Sequence, residues 1–463
     1  MASRLFDDDT IAAVATPPGE GGIGTIRLSG REALRIADAA FRSRSGKPVA
    51  EQKHFTARVG RLLSADGVRL DEALVLVMRA PKSYTREDVV ELSVHGGPAV
   101  LAETLARVLA LGARAAEPGE FTKRAFLNGR IDLVQAEAVL DLIQAKTSLA
   151  RRWASSRLEG SLSADLQDLK TRLVGLLSHL EASIDFPEDQ PDAMASSEAA
   201  AALDAMAARV QAFLDSAAMG LLARRGLRAV LAGRPNVGKS SLLNRLAGTD
   251  RVIVTPYPGT TRDVVEEEVS VGGFPVRFAD TAGIQETDHP IEKEGIDRSR
   301  KALAGADLAL IVLDASAPLG DADRALLDQT AGRPAILVAN KSDLPAKWDV
   351  SLVGRERGLP AVRASAVREG GTRELENEIS NFITGGKAVI SDEHVVSSVR
   401  QKDLLEKTLQ SLKEAASACR KDLSPEFIAA DVRAALDALG RLVGEVVTDD
   451  VLEVLFSRFC IGK

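Results

Sequence analysis

With 463 residues the chain exceeds one small core, and its length alone predicts about two to four domains. Hydrophobic residues make up 45% and charged residues 27%, as in ordinary folded proteins, and the net charge of −7 speaks against a surface coated for nucleic acid. Two cysteines and five histidines without metal-ligand spacing exclude a disulfide framework and a zinc module, and point to a reducing, cytoplasmic compartment.

The first nine residues lack the apolar run of a secretory signal. Residues 1–121 read as a mixed α+β domain. Short β-type runs at Thr10–Thr16, Gly24–Ser29, Thr56–Leu63, Glu72–Met78 and Val89–Val94 are separated by Gly, Pro and Asp, with helical runs at Arg31–Phe41 and Pro98–Leu111. From 122 to 225 the pattern turns helical: Leu133, Ala136, Val139, Leu140 and Ile143 recur at i, i+3, i+4, as do Leu166, Leu169, Leu173, Leu176 and Leu177. Helix resumes at Ser197–Met219 after Phe186–Asp192. Residues 226–386 alternate strand and helix, with the apolar runs Arg228–Ala232, Val276–Ala279, Leu308–Leu313 and Ala335–Val338 suited to a sheet buried on both faces. Residues 387–463 are helical again over Val399–Cys419, Pro425–Val446 and Asp449–Phe459. The expected fold is multidomain α/β: an N-terminal α+β domain, then an all-α domain interrupted by an inserted P-loop domain. The most apolar long stretch, Ala302–Leu319, holds Asp307 and Asp314 and is no membrane span.

Gly233-Arg234-Pro235-Asn236-Val237-Gly238-Lys239-Ser240 fits G-x-x-x-x-G-K-[ST]. The glycines let the backbone turn its amides to phosphates, and a helix opening at Lys239 presents its positive end to them. Lys239 is expected on the β- and γ-phosphates, Ser240 on Mg²⁺, and Ser241 beside it. Asp280-Thr281-Ala282-Gly283 follows a strand, placing Asp280 to steer Mg²⁺ through water and the Gly283 amide toward the γ-phosphate. In Asn340-Lys341-Ser342-Asp343, the Asp343 carboxylate accepts from guanine N1–H and the 2-amino group, a donor pair that adenine lacks. Ser365-Ala366 are expected near guanine O6. Ile284 stands where Ras-like GTPases place a water-orienting Gln. Hydrolysis therefore needs another device.

Thr255-Pro256-Tyr257-Pro258-Gly259-Thr260-Thr261-Arg262-Asp263 lies where a switch loop belongs. Pro-Asn-Val-Gly-Lys-Ser together with Gly-Thr-Thr-Arg-Asp resembles the potassium-activated GTPases. Along its whole length the chain resembles the tRNA-modification GTPase family called MnmE or TrmE. That resemblance rests on Asp9–Ala13 with Ala15–Gly19, Ser93–Pro98, Pro118–Thr122 leading to Arg124–Asn128, and the tetrapeptide Cys460-Ile461-Gly462-Lys463.

The resemblance implies Thr261 as a second Mg²⁺ ligand, K⁺ held by Asn236, Thr255, Tyr257 and Thr260, and Glu292 as the catalytic residue acting on the attacking water. It implies a 5-formyl- or 5,10-methylene-tetrahydrofolate site at Arg27, Glu91, Arg130 and Lys463 in the N-terminal domain. It further implies a homodimer, tRNA as substrate, and a partner of the MnmG (GidA) type that carries FAD, in a heterotetramer. Cys460 is a candidate nucleophile or a small structural residue. Arg151-Arg152 and Arg224-Arg225 are either tRNA-phosphate contacts or solvated charges. The competing reading is a ribosome-assembly GTPase of the Era or Der type, which shares the nucleotide motifs. Der-like chains carry two nucleotide domains, and Era-like chains place an RNA-binding domain after the nucleotide domain; this chain has one phosphate loop and a helical continuation.

Overall fold

The computed structural model describes residues 9–185, 195–249, 267–279, 303–388 and 394–463. The chain divides into two compact units, Met1–Leu140 with Gly440–Lys463, and Asp141–Leu439.

In the first unit, strands β1 (Ile11–Val14), β2 (Gly21–Ser29), β3 (Phe41–Ser43), β4 (Thr56–Leu63), β5 (Arg69–Met78), β6 (Val89–Gly96) and β7 (Arg114–Ala115) form a seven-stranded sheet in the order β3-β4-β5-β6-β2-β1-β7. All neighbours are antiparallel except β1 and β7. The period-2 alternation of the strands sends Ile26, Leu28, Val75, Val77, Val90 and Leu92 to one face. There they pack with Ile36 of helix Ala33–Ala40 and with Leu101 and Val108 of helix Pro98–Ala110. The opposite face carries Arg27 and Glu91, which are cross-strand partners, and the exposed apolar side chains Val59 and Leu74. Helix Glu120–Leu127 follows, and a smaller cluster joins Leu133, Ala136 and Leu140 to Leu452, Phe456 and Phe459.

An ion network lies under the Pro118–Thr122 turn. Arg124, 2% exposed, reaches Asp9 Oδ1 at 2.6 Å, Glu120 Oε1 at 3.0 Å and Glu87 Oε1 at 3.3 Å. Arg114 closes it with Asp9 and Glu120, each at 2.6 Å. The motif residues Glu120 and Arg124 thus tie the start of β1 to helix Glu120–Leu127, matching each buried charge.

In the second unit, β8 (Leu227–Ala232), β9 (Glu267–Val271), β10 (Phe274–Phe278), β11 (Leu308–Asp314), β12 (Ala335–Asn340) and β13 (Ala361–Arg363) form a six-stranded sheet ordered β13-β12-β11-β8-β10-β9. It is parallel except for the β9–β10 hairpin. Both faces are buried, as the continuous apolar runs predict. Val230, Ile311, Leu313 and Leu337 face one cluster with Leu327 and Val350. Leu231, Leu310, Val312 and Val338 face the other, which also takes in Leu149 and Trp153 of helix Ser148–Glu159 and Met219 and Ala223 of helix Ser196–Arg225. Trp153 meets Phe274 of β10 edge-on, with centroids 6.0 Å apart.

Residues 394–398 return from this fold along helix Ser196–Arg225. The Val396 amide donates to Ser216 Oγ at 3.0 Å, and Arg157 Nη1 donates to Val395 O at 3.1 Å. Ser397 Oγ donates to Asp141 Oδ2 at 2.6 Å, and the same carboxylate pairs with Arg157 at 2.7 Å and Arg224 at 2.9 Å. Helix Val399–Arg420 then packs along helix Ser196–Arg225. Among the described residues no helix is long and apolar enough to cross a membrane.

Candidate nucleotide site and a second charged cluster

Strand β8 delivers the chain into the phosphate loop, and helix Lys239–Thr249 opens directly behind it. Asn236 has φ 63 and Gly238 φ 92. Asn is among the few side chains that tolerate the left-handed region, and here it stands exposed. Gly238 cannot be replaced, because a Cβ there would lie 2.5 Å from Asn340 Nδ2. The Lys239 ammonium donates to the Gly233 and Arg234 carbonyls, both at 2.8 Å. Val237 is buried, while Ser240 and Ser241 are exposed in the first turn of the helix.

The base-side motif follows β12. Asn340, 1% exposed, donates through Nδ2 to Val237 O at 2.8 Å, tying this loop to the phosphate loop. Lys341 holds φ 60, a strained position for a lysine. Its Nζ is fixed at 2.6 Å on Asp314 Oδ2 at the end of β11. Burial alone would raise the Asp314 carboxyl, but the bonds from Lys341 and Ser316 outweigh it and hold it below the usual carboxylate range. Ser365 Oγ donates to Asp343 Oδ1 at 2.7 Å, which holds the half-buried Asp343 carboxyl below its ordinary value. The Ser342 amide bonds Ala364 O at 3.0 Å, so Ser365 and Ala366 lie beside the base loop. An ionised carboxylate, an oriented lysine and two coupled loops are what recognition of a guanine nucleotide needs. Sequence reasoning missed Asp314, because an Asp at a strand end carries no motif of its own.

Thr255, Pro256, Tyr257, Pro258, Gly259, Thr260, Thr261, Asp280, Thr281, Ala282, Gly283, Ile284 and Glu292 lie outside the described residues.

The first unit gathers the other charged candidates. Arg27 donates through Nε to Glu91 Oε1 at 2.8 Å, and its Nη2 lies 2.8 Å from the same oxygen. Its Nη1 donates to Gly462 O at 3.2 Å, which brings the Cys460–Lys463 tetrapeptide to β2. Gly462 has φ 93, and a Cβ there would meet Val14 O at 2.3 Å, so only glycine lets the tail lie this close to β1. The Lys463 amide bonds Cys460 O at 3.3 Å. Arg130 stands over the Tyr84 ring at 4.7 Å, and Arg27 over the same ring at 5.9 Å. Tyr84 OH shares a 2.9 Å hydrogen bond with Thr122 Oγ1, and burial pushes its phenol pKa up. Sequence reasoning missed Tyr84; in a chain with two tyrosines, its scarcity was the available signal. Cys460 is exposed. Arg224 and Arg225 pair with Asp141 and Asp307, while Arg151 and Arg152 are exposed.

A family model described as GTP-binding protein TrmE N-terminus matches residues 10–130, and one described as MnmE helical domain matches residues 133–460. The curated tRNA modification GTPase MnmE of Symbiobacterium thermophilum is 47% identical over 459 residues, covering 98% of this chain and 100% of the relative. The protein of the same name from Clostridioides difficile is 41% identical over 460 residues, covering 99% and 100%. Among solved structures, the G domain of the T. maritima FeoB iron transporter is 29% identical and covers 34% of this chain and 98% of that chain, with a TM-score of 0.27. Matched by both family models and aligned end to end with these relatives, the chain belongs to the MnmE (TrmE) family of tRNA-modification GTPases.

Proposed function

We propose that this chain is a potassium-activated GTPase that converts GTP to GDP in the cytoplasm. With an FAD-carrying partner of the MnmG (GidA) type, it drives addition of a carboxymethylaminomethyl or aminomethyl group at C5 of the wobble uridine of certain tRNAs. The one-carbon donor is a tetrahydrofolate derivative. The observation that carries this reading is the pairing, in one chain, of a guanine-type nucleotide site with a separate charged and aromatic cluster around Arg27, Glu91, Tyr84 and Arg130.

Ser240 and Thr261 would hold Mg²⁺, and Asp280 would steer it. Asn236, Thr255, Tyr257 and Thr260 would hold K⁺, which when bound supplies positive charge where an arginine finger otherwise acts. The exposed, left-handed Asn236 in the phosphate loop fits that role. Val237, Gly238, Lys239, Ser241, the switch residues Pro256, Pro258 and Gly259, and Thr281, Ala282 and Gly283 would complete the phosphate side. Asn340, Lys341, Asp343, Ser365 and Ala366 would complete the base side. Glu292 would act on the attacking water.

Both Arg27 bonds fall on one Glu91 oxygen, so the other suits a pterin N–H, while Arg27, Arg130 and Lys463 suit an anionic glutamate tail. Tyr84 offers a ring face for stacking. The apolar exposure of Val59 and Leu74 on the same sheet face supports a homodimer through this domain, and the exposed Arg151 and Arg152 suit tRNA phosphates. Full-length matches to relatives named tRNA modification GTPase disfavour an Era- or Der-type role.

Mass spectrometry of tRNA nucleosides from cells lacking this chain tests the reading. Loss of the modified wobble uridine is expected, with GTP hydrolysis by the purified chain faster in KCl than in NaCl. Unchanged wobble uridines would overturn the modification role, and equal rates in the two salts the cation mechanism.

A further inference from the structure

The phosphate-loop pattern leaves its second position open, yet this chain puts a cation there. Arg234 Nε donates to Asp323 Oδ1 at 2.6 Å. Asp323 lies in the first turn of helix Asp321–Gln329 and is 1% exposed, while its Oδ2 accepts the Gly320 amide at 3.0 Å. A carboxylate so buried persists only with a matching charge and satisfied lone pairs, and Arg234 with Gly320 supplies both.

The same Arg234 carries one of the two carbonyls that hold Lys239 Nζ. Its side chain is therefore anchored in one element while its peptide receives the phosphate-binding lysine. The chain that runs from β11 to Asp323 also contains Asp314, which fixes Lys341 of the base loop. A single connection thus steadies the loops on both sides of the nucleotide.

Resting on the family's GTPase activity, we propose that Arg234 and Asp323 are positioning residues that preset the phosphate loop and so set affinity for GTP and GDP together. A loop that must order on binding loses affinity to that ordering. Both nucleotides present the same β-phosphate to Lys239, so both feel the loss. An interaction already made with bound substrate alters KM and leaves kcat in place.

The test uses the full chain, with a fluorescent GDP analogue for affinity and GTP for steady-state kinetics. Arg234→Ala and Asp323→Asn are each expected to weaken GDP-analogue binding by roughly 5–20-fold and raise KM for GTP to match, with kcat within about 2-fold. Arg234→Lys keeps the charge and should recover most of the affinity. The double variant should lose no more than the worse single one, because both break one bond. Arg234→Ala alone leaves the 1% exposed Asp323 without its partner, so the double variant, which removes both charges, is the form in which affinity is read if a single variant fails to fold. Unchanged affinity in Arg234→Ala overturns the proposal, as does a fall in kcat at unchanged affinity, additive losses, or a lower melting temperature with affinity intact. Loss of all GTPase activity in the wild-type chain would instead strike the family reading.

Discussion

Glu120→Gln tests whether the buried ion network holds the first unit together. Glu120 is 2% exposed and accepts from Arg114 Nη1 at 3.1 Å, Arg114 Nη2 at 2.6 Å, Arg124 Nη2 at 3.0 Å and the Glu117 amide at 2.8 Å. Gln keeps the shape but replaces one acceptor with an NH₂ that must face another donor. Removing one partner of a buried ion pair costs about 3–5 kcal/mol. The lower end applies here, since Arg124 keeps Asp9 at 2.6 Å and Glu87 at 3.3 Å. At roughly 2–4 °C per kcal/mol for a unit of this size, the melting temperature should fall by about 6–12 °C.

The pH dependence adds a sign. Burial alone would raise the Glu120 and Asp9 carboxyls, but Arg114 and Arg124 hold both below their ordinary values. A depressed carboxylate stabilises the fold fully above its unfolded pKa, about 4.3 for Glu and 3.9 for Asp, and loses this as pH falls through the folded value. Calorimetric melts should show a constant gap between wild type and variant from pH 8 to about 5.5, narrowing below about pH 4. A gap that persists unchanged to about pH 3, or one under ~1 kcal/mol at pH 7, would refute the reasoning.

Two further outcomes follow from the sites. Asp343→Asn replaces a double acceptor with an amide that donates, so nucleotide competition should shift from guanosine toward xanthosine triphosphate by an order of magnitude or more; retained guanine preference would place base recognition elsewhere. Gly462→Ala would press a Cβ to 2.3 Å from Val14 O and displace the tail from Arg27. Isothermal titration with 5-formyl-tetrahydrofolate should then weaken at least about tenfold while GTPase kcat holds, and unchanged titration would detach the tail from that site.

The parts of the chain that speak loudest in sequence are those whose chemistry fixes both residue type and spacing. The phosphate loop, the base motif and the doubly buried strands were legible for that reason. The run Thr56–Leu63 coincides with β4, while β11 and β12 extend the runs Leu308–Leu313 and Ala335–Val338 by one and two residues. β3, β7, β9 and β13 escaped notice, since runs of two to five residues carry too little period. Helix Arg31–Phe41 ended at Ala40 because buried Phe41 turns extended to begin β3. Tertiary ion pairs such as Lys341–Asp314 and Arg124–Asp9 were invisible, because each partner reads as an ordinary surface charge until the fold brings them together. The Pro118–Thr122 motif singled out the family, yet Glu120 within it serves packing of charge.

The edge-on contact between Trp153 and Phe274 is an apolar link between β10 and helix Ser148–Glu159. Phe274 belongs to the β9–β10 hairpin, which joins the sequence after the switch-loop motif to the sequence before Asp280. Any shift of that hairpin pushes on helix Ser148–Glu159 through carbon surfaces, with Leu149 beside them. Such a linkage is not screened by salt, unlike one made of surface charges, and it softens on cooling because apolar association weakens there. Any motion passed between that hairpin and the helix should therefore be insensitive to ionic strength while remaining sensitive to cold.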